Sequence, residues 1–199
     1  MSKQFMVSLG REFGSGGHEI GMELAKRLGV PFYDRNMLDE IAAHKNVASD
    51  GLHRFDELPK KLFLSRTVRG FSNSPEEVIA GFQFEYIKRK AESGESFVVV
   101  GRCADTVLKN YSGLISIFIL GDEQVKAERV AGIRNITVDE AKAVMYRHDK
   151  KRKAYHNYYS ALKWGDSRSY DMTINSSKSG IGTTKDLVEH YVRSRIESL

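Results

Sequence analysis

Gly14-Ser15-Gly16-Gly17, three glycines around a serine, follow an apolar, β-prone run from Phe5 to Leu9. Directly after them Ile20, Leu24 and Leu28 fall on one helical face. A strand, a glycine-rich turn and a helix in immediate succession make a cradle for an anion. Glycine opens backbone conformations closed to other residues and lets a ligand approach the main chain. The N–H groups of such a loop then converge on a phosphate together with those of the helix N-terminus. An ordinary strand-to-helix turn is the plainer alternative, but this loop holds more glycine than a turn needs.

The loop departs from the standard phosphate-binding pattern G-x-x-x-x-G-K-[ST]. Laid on residues 11–18, the pattern keeps Gly16 as its second Gly. Arg11 then stands for the first Gly, Gly17 for the Lys and His18 for the Ser/Thr. The ammonium that normally meets the β- and γ-phosphates is missing from its slot. Arg11 lies in the same loop and carries a guanidinium suited to bidentate phosphate binding, which makes it the candidate for the missing charge. The dinucleotide fingerprint fits no better. Glu19 occupies its third glycine position, although Asp34 supplies an acid at about the expected 20-residue remove.

Further candidates stand where apolar runs end. In open α/β sheets ligands gather at the carboxyl ends of the strands. Asp34 follows Val30-Pro-Phe-Tyr33. It is placed to orient a substrate hydroxyl or a Mg²⁺-bound water, and equally to N-cap a helix over 36–45. Gly101-Arg-Cys-Ala-Asp105 follows the β-branched run Phe97–Val100. Arg102 has no structural reason to follow a buried strand, so a phosphate or carboxylate contact is expected of it. The run Arg147-His-Asp-Lys-Lys-Arg-Lys153 holds five basic residues and one acid, followed by Tyr155, Tyr158 and Tyr159. Such a run suits a lid over nucleotide phosphates, a nucleic-acid footprint with stacking aromatics, or a solvated helix face.

The elements that must position these residues alternate along the chain. Strands are expected over 5–9, 30–33, 97–100, 114–120 and 170–174, separated by helices, which points to βαβ units and a parallel sheet. Ser74-Pro-Glu-Glu77 reads as a helix start with Val78, Phe82 and Ile87 among its apolar contacts. Thr137-Val-Asp-Glu140 reads as a capping box opening a long helix. A Ser/Gly loop over 175–182 leads to a final helix capped by Thr183 or Thr184. Between 46 and 74 the pattern weakens. Apolar clusters (Leu58, Leu62, Phe63, Leu64) mix with Lys60, Lys61, Arg66 and Arg69 in what reads as a partly helical insertion.

Composition bounds the reading without deciding it. The 199 residues suit one domain, 1–199, with an inserted lobe. A net charge of +5 favours anionic partners of any kind. A single cysteine, Cys103, excludes an internal disulfide and suits a reducing compartment. With no leader-like segment and no apolar run of bilayer-spanning length, a cytoplasmic protein without a membrane partner is expected. No repeat, metal-ligand spacing or G-x-S-x-G nucleophile motif is visible.

Taken together, Gly10-Arg-Glu-Phe-Gly-Ser-Gly-Gly-His-Glu-Ile-Gly21, Pro31-Phe-Tyr-Asp34 and Gly101-Arg102 resemble the cytidylate kinase-like family of P-loop proteins. Arg129 and the 147–153 run complete the likeness, which spans nearly the whole chain. The resemblance implies a P-loop NTPase fold, a three-layer α/β/α arrangement with a five-stranded parallel sheet. It also implies a monophosphate-binding insertion near 36–74 and a helical lid near 137–165. The implied activity is phosphoryl transfer from Mg-ATP to a nucleoside monophosphate or another small acceptor, with ATP and Mg²⁺ as cofactors. By position, Gly14, Ser15, Gly16, Gly17, His18 and Glu19 would hold the donor phosphates through backbone N–H groups. Asp34, Arg102 and Asp105 would face the acceptor. Arg129, Arg147, Lys151 and Arg152 would neutralise the transferring phosphoryl group. The chain departs from the family pattern at Gly17, where a Lys is usual, and at Cys103, where an Asp is usual. A catalytically silent nucleotide-binding regulator therefore stands beside the kinase, with a nucleic-acid-binding protein third. A homo-oligomer is left open.

Overall fold

The computed structural model describes residues 3–45, 67–68, 71–72 and 74–199. Five parallel strands form the central sheet: β1 (Met6–Arg11), β2 (Phe32–Tyr33), β5 (Phe97–Val100), β6 (Leu114–Leu120) and β7 (Met172–Asn175). Their spatial order is β2-β5-β1-β6-β7, so the strand that leads into the glycine loop lies at the centre. Leu9 is in register with Val100 on one side and Ile117 on the other. The continuous apolar runs of β5 and β6 have this position to fill, because a strand covered on both faces has no polar side to show.

Side-chain alternation divides the core in two. Met6, Phe97 and Val99 pack against α2 (Met37–Lys45) and α3 (Pro75–Glu92) through Leu38, Ile41 and Ile87. Val7, Leu9, Val98, Ile115 and Ile117 face α1 (Gly17–Leu28) and α7 (Ser176–Ser198) through Ile20, Leu24, Val188 and Val192. Helices on both faces of a parallel sheet give the three-layer α/β/α arrangement. Each buried aliphatic side chain contributes about 1.5–3 kcal/mol. A short α4 (Ala104–Val107) follows β5, and α5 (Glu123–Arg134) packs on α6 (Val138–Tyr159) through Ala127, Val130, Ala141 and Met145. The capping box of α6 forms as the sequence indicates. Thr137 Oγ1 accepts from Glu140 N, and the Glu140 carboxylate accepts from Thr137 N.

Several local expectations are corrected. The second strand is shorter than 30–33, because Val30 N is used in the α1 C-cap, donating to Ala25 O at 3.0 Å. Ser74 does not cap α3 with its hydroxyl, which donates instead to the Glu76 carboxylate. Val78 on that helix is exposed, whereas Ile87 is buried and Phe82 packs against the core as expected, joined by Ile79 and Tyr86. The span Ser176–Ser198 holds two helices that meet at non-helical Gly180, so a helical turn stands within the expected 175–182 loop and the last helix follows Gly180, ahead of Thr183 and Thr184. Asn175 caps the first of them by accepting from Ser177 N. Thr184 lies fully buried inside the helix, where its hydroxyl donates to Gly180 O at 2.6 Å. Within the insertion, β3 (Thr67–Val68) and β4 (Phe71–Ser72) pair antiparallel. Leu58, Lys60, Lys61, Leu62, Phe63, Leu64, Arg66 and Arg69 lie outside the described residues. Among the described residues no helix is long and apolar enough to cross a membrane.

Candidate functional site

The loop between β1 and α1 is fixed from beneath by polar contacts. Ser15 Oγ donates to Glu12 O at 2.8 Å, and Ser15 O accepts from Ser176 Oγ at 2.8 Å. The Glu12 carboxylate in turn accepts from Gly121 N at 3.1 Å and from buried Lys126 Nζ at 2.5 Å. Ser15 therefore shapes the loop with its side chain and offers a ligand only its backbone. Gly16 is the N-cap of α1 with φ 78°, and a Cβ there would stand 2.6 Å from Ile181 Cδ1. The bond from Ile20 N to Gly16 O opens the helical ladder. The amides of Gly17, His18 and Glu19 precede it, as the first-turn donors of a helix do.

Gly17 occupies the slot of the missing lysine, and its surroundings explain the absence. A Cβ at Gly17 would lie 2.5 Å from Arg11 Cβ and 3.1 Å from Arg11 Cγ. The stem of Arg11 already fills the space that a side chain at 17 would need. A side chain at 17 is thus excluded while the Arg11 stem keeps its place.

An open cleft of about 410 Å³ lies over this loop, lined by Arg11, Gly14, Gly16, Gly17, His18 and Glu19. Arg129, Arg134 and Arg152 line the same cleft. The Glu19 carboxylate accepts from Lys185 Nζ at 2.7 Å and from Arg129 Nη2 at 2.8 Å. Those bonds, Lys185 first, hold its pKa below the ordinary carboxylate value against the opposing effect of burial. Asp34 divides its carboxylate. Oδ2 meets His18 Nε2 at 2.7 Å, and Oδ1 accepts from Asn36 N at 2.8 Å ahead of α2. His18 is the main cause of a lowered Asp34 pKa, and the charge of Arg102 adds to it. Asp34 thus ties the loop to the start of a helix.

Helix α6 clasps the loop through Phe13. His148 stacks on the Phe13 ring at 4.3 Å, with the guanidinium groups of Arg134 and Arg152 at 5.1 and 5.5 Å. Asp149 Oδ1 accepts from Phe13 N at 2.7 Å, and Arg152 Nη1 donates to Arg11 O at 3.4 Å. Burial raises the Asp149 pKa, outweighing the hydrogen bond from Phe13 N. The folded chain therefore binds a proton more readily than the unfolded chain, so ionised Asp149 subtracts stability at neutral pH. That cost fades as pH falls through the raised folded value and is gone below the unfolded value, about 3.9. Asp149→Asn keeps an acceptor for Phe13 N without the charge. It should melt higher than the unsubstituted protein at pH 7, with the difference shrinking toward about pH 4. Thermal unfolding across pH checks this, and a difference that does not vary with pH would refute it.

Arg11 and Arg152 also line a second, narrower space of about 20 Å³. Arg102, Asp105, His156, Trp164 and Tyr170 contribute to its walls. Arg102 reaches it from a turn in which Gly101, Arg102 and Cys103 all have positive φ, 78°, 62° and 51°. For non-glycine residues such conformations cost of order 1–3 kcal/mol each and concentrate at functional sites. The turn leaves Arg102 only 3% exposed. His156 Nε2 and Asp105 Oδ2 are 2.8 Å apart, and both side chains are 7% exposed.

The structure thus brings Arg11, Gly14, Gly16, Gly17, His18, Glu19, Arg129 and Arg152 around the cleft, and Arg102 and Asp105 around the narrower space, while Ser15 and Asp34 line neither. Arg147 and Lys151 lie on the exposed side of α6 and line neither. His156 is the member of the site that sequence reasoning passes over. Its signal was a stripe along α6 on which Asp149, Arg152 and His156 continue the spacing of buried Ala141 and Met145.

A family model described as the cytidylate kinase-like family matches residues 6–178. The chain belongs to the cytidylate kinase-like family. A cytidylate kinase from Methanococcus vannielii is 27% identical over 132 residues, covering 64% of this chain and 75% of that protein. An uncharacterized protein from Eubacterium ventriosum has a similar crystal structure, with a TM-score of 0.76 and 36% identity over 96% of this chain and 99% of that one. Shikimate kinase from Acinetobacter baumannii shares the fold at 14% identity and a TM-score of 0.55, over 97% of this chain and 95% of that one. Membership of this family and a kinase fold together support a nucleotide kinase-type phosphotransferase.

Proposed function

We propose that the protein transfers the γ-phosphoryl group of Mg-ATP to a nucleoside monophosphate or another small acceptor. The observation that carries this reading is the pair of spaces meeting at Arg11 and Arg152. The donor phosphates lie in the cleft, on the backbone amides from Gly14 to Glu19. The acceptor enters from the side of Arg102 and Asp105. Arg11 and Arg152, standing between the two, face the phosphoryl group in flight. In phosphoryl transfer the protein has little covalent work, so positioning and cationic charge supply most of the rate. Arg129, in the cleft, leaves Glu19 for the donor phosphates.

Mg²⁺ supplies neutralisation of the β- and γ-phosphate oxygens when bound. Such a metal takes one or two carboxylates and fills its other positions with phosphate oxygens and water. Glu19, a carboxylate lining the cleft beside the loop amides, fits that demand. Among the described residues no group of three His, Cys, Asp or Glu side chains converges for a metal. Phosphate oxygens and water would therefore be the main ligands.

A nucleotide-binding regulator without turnover is the second reading, favoured by Gly17 in the lysine slot. ADP release from Mg-ATP separates the two, measured with CMP, dCMP, UMP, AMP or GMP and without acceptor. Acceptor-dependent release is expected. ATP binding with no release under any condition would favour the regulator. A nucleic-acid function would instead show as RNA or DNA affinity falling steeply with salt.

A further inference from the structure

In the pattern G-x-x-x-x-G-K-[ST], the last residue gives its hydroxyl to the divalent ion that accompanies the nucleotide. Here that slot holds His18, whose side chain lines the donor cleft and is 55% exposed. The imidazole is held from two directions. Its ring stands edge-on to Phe32 with the centroids 5.4 Å apart, and Nε2 lies 2.7 Å from Asp34 Oδ2. Asn36 N fixes the other oxygen of Asp34. An ionised carboxylate only accepts, so Nε2 is the nitrogen that donates. Nδ1 is left as the second ring nitrogen, with no hydrogen-bond partner among the described residues. Histidines that bind metal ions are held in this way. One N–H goes to a carboxylate, which fixes the tautomer and the ring, and the other nitrogen meets the ion. A proton on Nδ1 is no obstacle, because a metal ion displaces it and binding then depends on pH.

We propose that His18, oriented by Asp34, is a nitrogen ligand of the divalent ion that enters with the donor nucleotide, and that the site favours a first-row transition ion over Mg²⁺. This rests on the nucleotide reading of the cleft above and refines its ion. Mg²⁺ is a hard ion that takes oxygen ligands and parts with water reluctantly. Histidine in the hydroxyl slot removes the side-chain oxygen that the loop pattern offers it. Imidazole suits the later first-row ions, whose affinity for nitrogen exceeds that of Mg²⁺. Among the described residues no group of three His, Cys, Asp or Glu side chains converges to form a cage. Nucleotide phosphates and water therefore complete the coordination of whichever ion binds. With so few protein ligands, the identity of one of them decides between ions. Glu19, next in the chain and lining the same cleft, is an oxygen ligand open to either.

The test measures binding of the Co²⁺ and Mg²⁺ complexes of the β,γ-methylene analogue of ATP, which cannot transfer its terminal phosphoryl group. Unsubstituted protein is compared with His18→Ser, which restores the usual hydroxyl, and with Asp34→Asn. Melting temperatures show that each variant is folded. Measurements at about pH 8 stand above the range near 6.5 in which imidazoles ordinarily titrate. Unsubstituted protein should bind the Co²⁺ complex at least about 10-fold more tightly than the Mg²⁺ complex, and His18→Ser should lose that preference. Asp34→Asn should weaken the Co²⁺ complex more than the Mg²⁺ complex, since it loosens the imidazole alone. Proton NMR of the Co²⁺-loaded protein supplies a direct view. A ring N–H resonance shifted far downfield by the ion should be present in unsubstituted protein and absent from His18→Ser. An equal preference in both proteins would overturn the assignment, as would a shifted resonance that persists without His18. Undiminished Co²⁺ preference in Asp34→Asn would remove Asp34 from it. In each of these cases nucleotide binding stands. Failure to bind either complex would instead overturn the nucleotide reading of the cleft, and this assignment with it.

Discussion

Arg11→Gly should lower phosphoryl transfer on the order of 10²–10³-fold, the usual cost of removing one preorganised donor from a developing anion. Arg11→Gly combined with Gly17→Lys should recover most of that loss. Gly17→Lys alone should be the worst of the three, since its Cβ would meet Arg11 Cβ at 2.5 Å and Cγ at 3.1 Å. Forcing a side chain into occupied space costs about 1–3 kcal/mol, and here the strain falls on the loop whose amides must stay aimed at the donor phosphates. Residues in contact are not additive, so the double substitution is expected to be better than either single one. Single-turnover transfer from Mg-ATP, with ATP affinity measured separately, decides the matter. A double variant no more active than Arg11→Gly would mean that the two positions do not exchange one cation.

The same two positions show what could be read in the sequence and what could not. The vacant lysine slot was visible by alignment to the loop pattern, and so was Arg11 as a candidate for its charge. The contact between Arg11 and Gly17 was not, because it depends on how the loop folds back between a strand end and a helix start. β5 and β6 were legible as apolar runs rich in β-branched residues, the kind a doubly covered strand carries, with Ser116 the one polar residue in β6. The helical turn at Ser176 was not legible. Ser176, Ser177, Ser179 and Gly180 look like a loop by composition, and Gly180 does break the helix there, but tertiary contact holds a turn of helix ahead of it. Ser176 Oγ donates to Ser15 O at 2.8 Å, and Ser177 Oγ accepts from Asp122 N at 2.9 Å, which holds this serine-rich turn against the phosphate loop. His156 was hidden inside a basic, aromatic stretch. Its position on the inner stripe of α6 was readable from spacing, but its partner Asp105 lies 51 residues away.

Arg152→Ala should reduce transfer on the order of 10²–10³-fold, a larger effect than Arg147→Ala or Lys151→Ala. Composition alone offers no reason to separate the cations of the 147–153 run. Geometry does. The Arg152 side chain is 15% exposed, lies over Phe13 and donates to Arg11 O at 3.4 Å. It also lines both the cleft and the narrower space. A charge so placed acts through a medium poor in water, where its effect on a developing anion is strong. Arg147 and Lys151 are exposed, and solvent with ordinary salt screens them. Raising the ionic strength should therefore diminish whatever they contribute while leaving the Arg152 effect nearly intact. Arg152→Lys distinguishes charge from shape: an ammonium keeps the charge but lacks the planar fork and the stacking face. Partial recovery in the lysine variant would assign Arg152 mainly to charge, and none would assign it to geometry. Equal losses in all three alanine variants would mean that α6 moves closer to the phosphates during turnover than it stands in this structure.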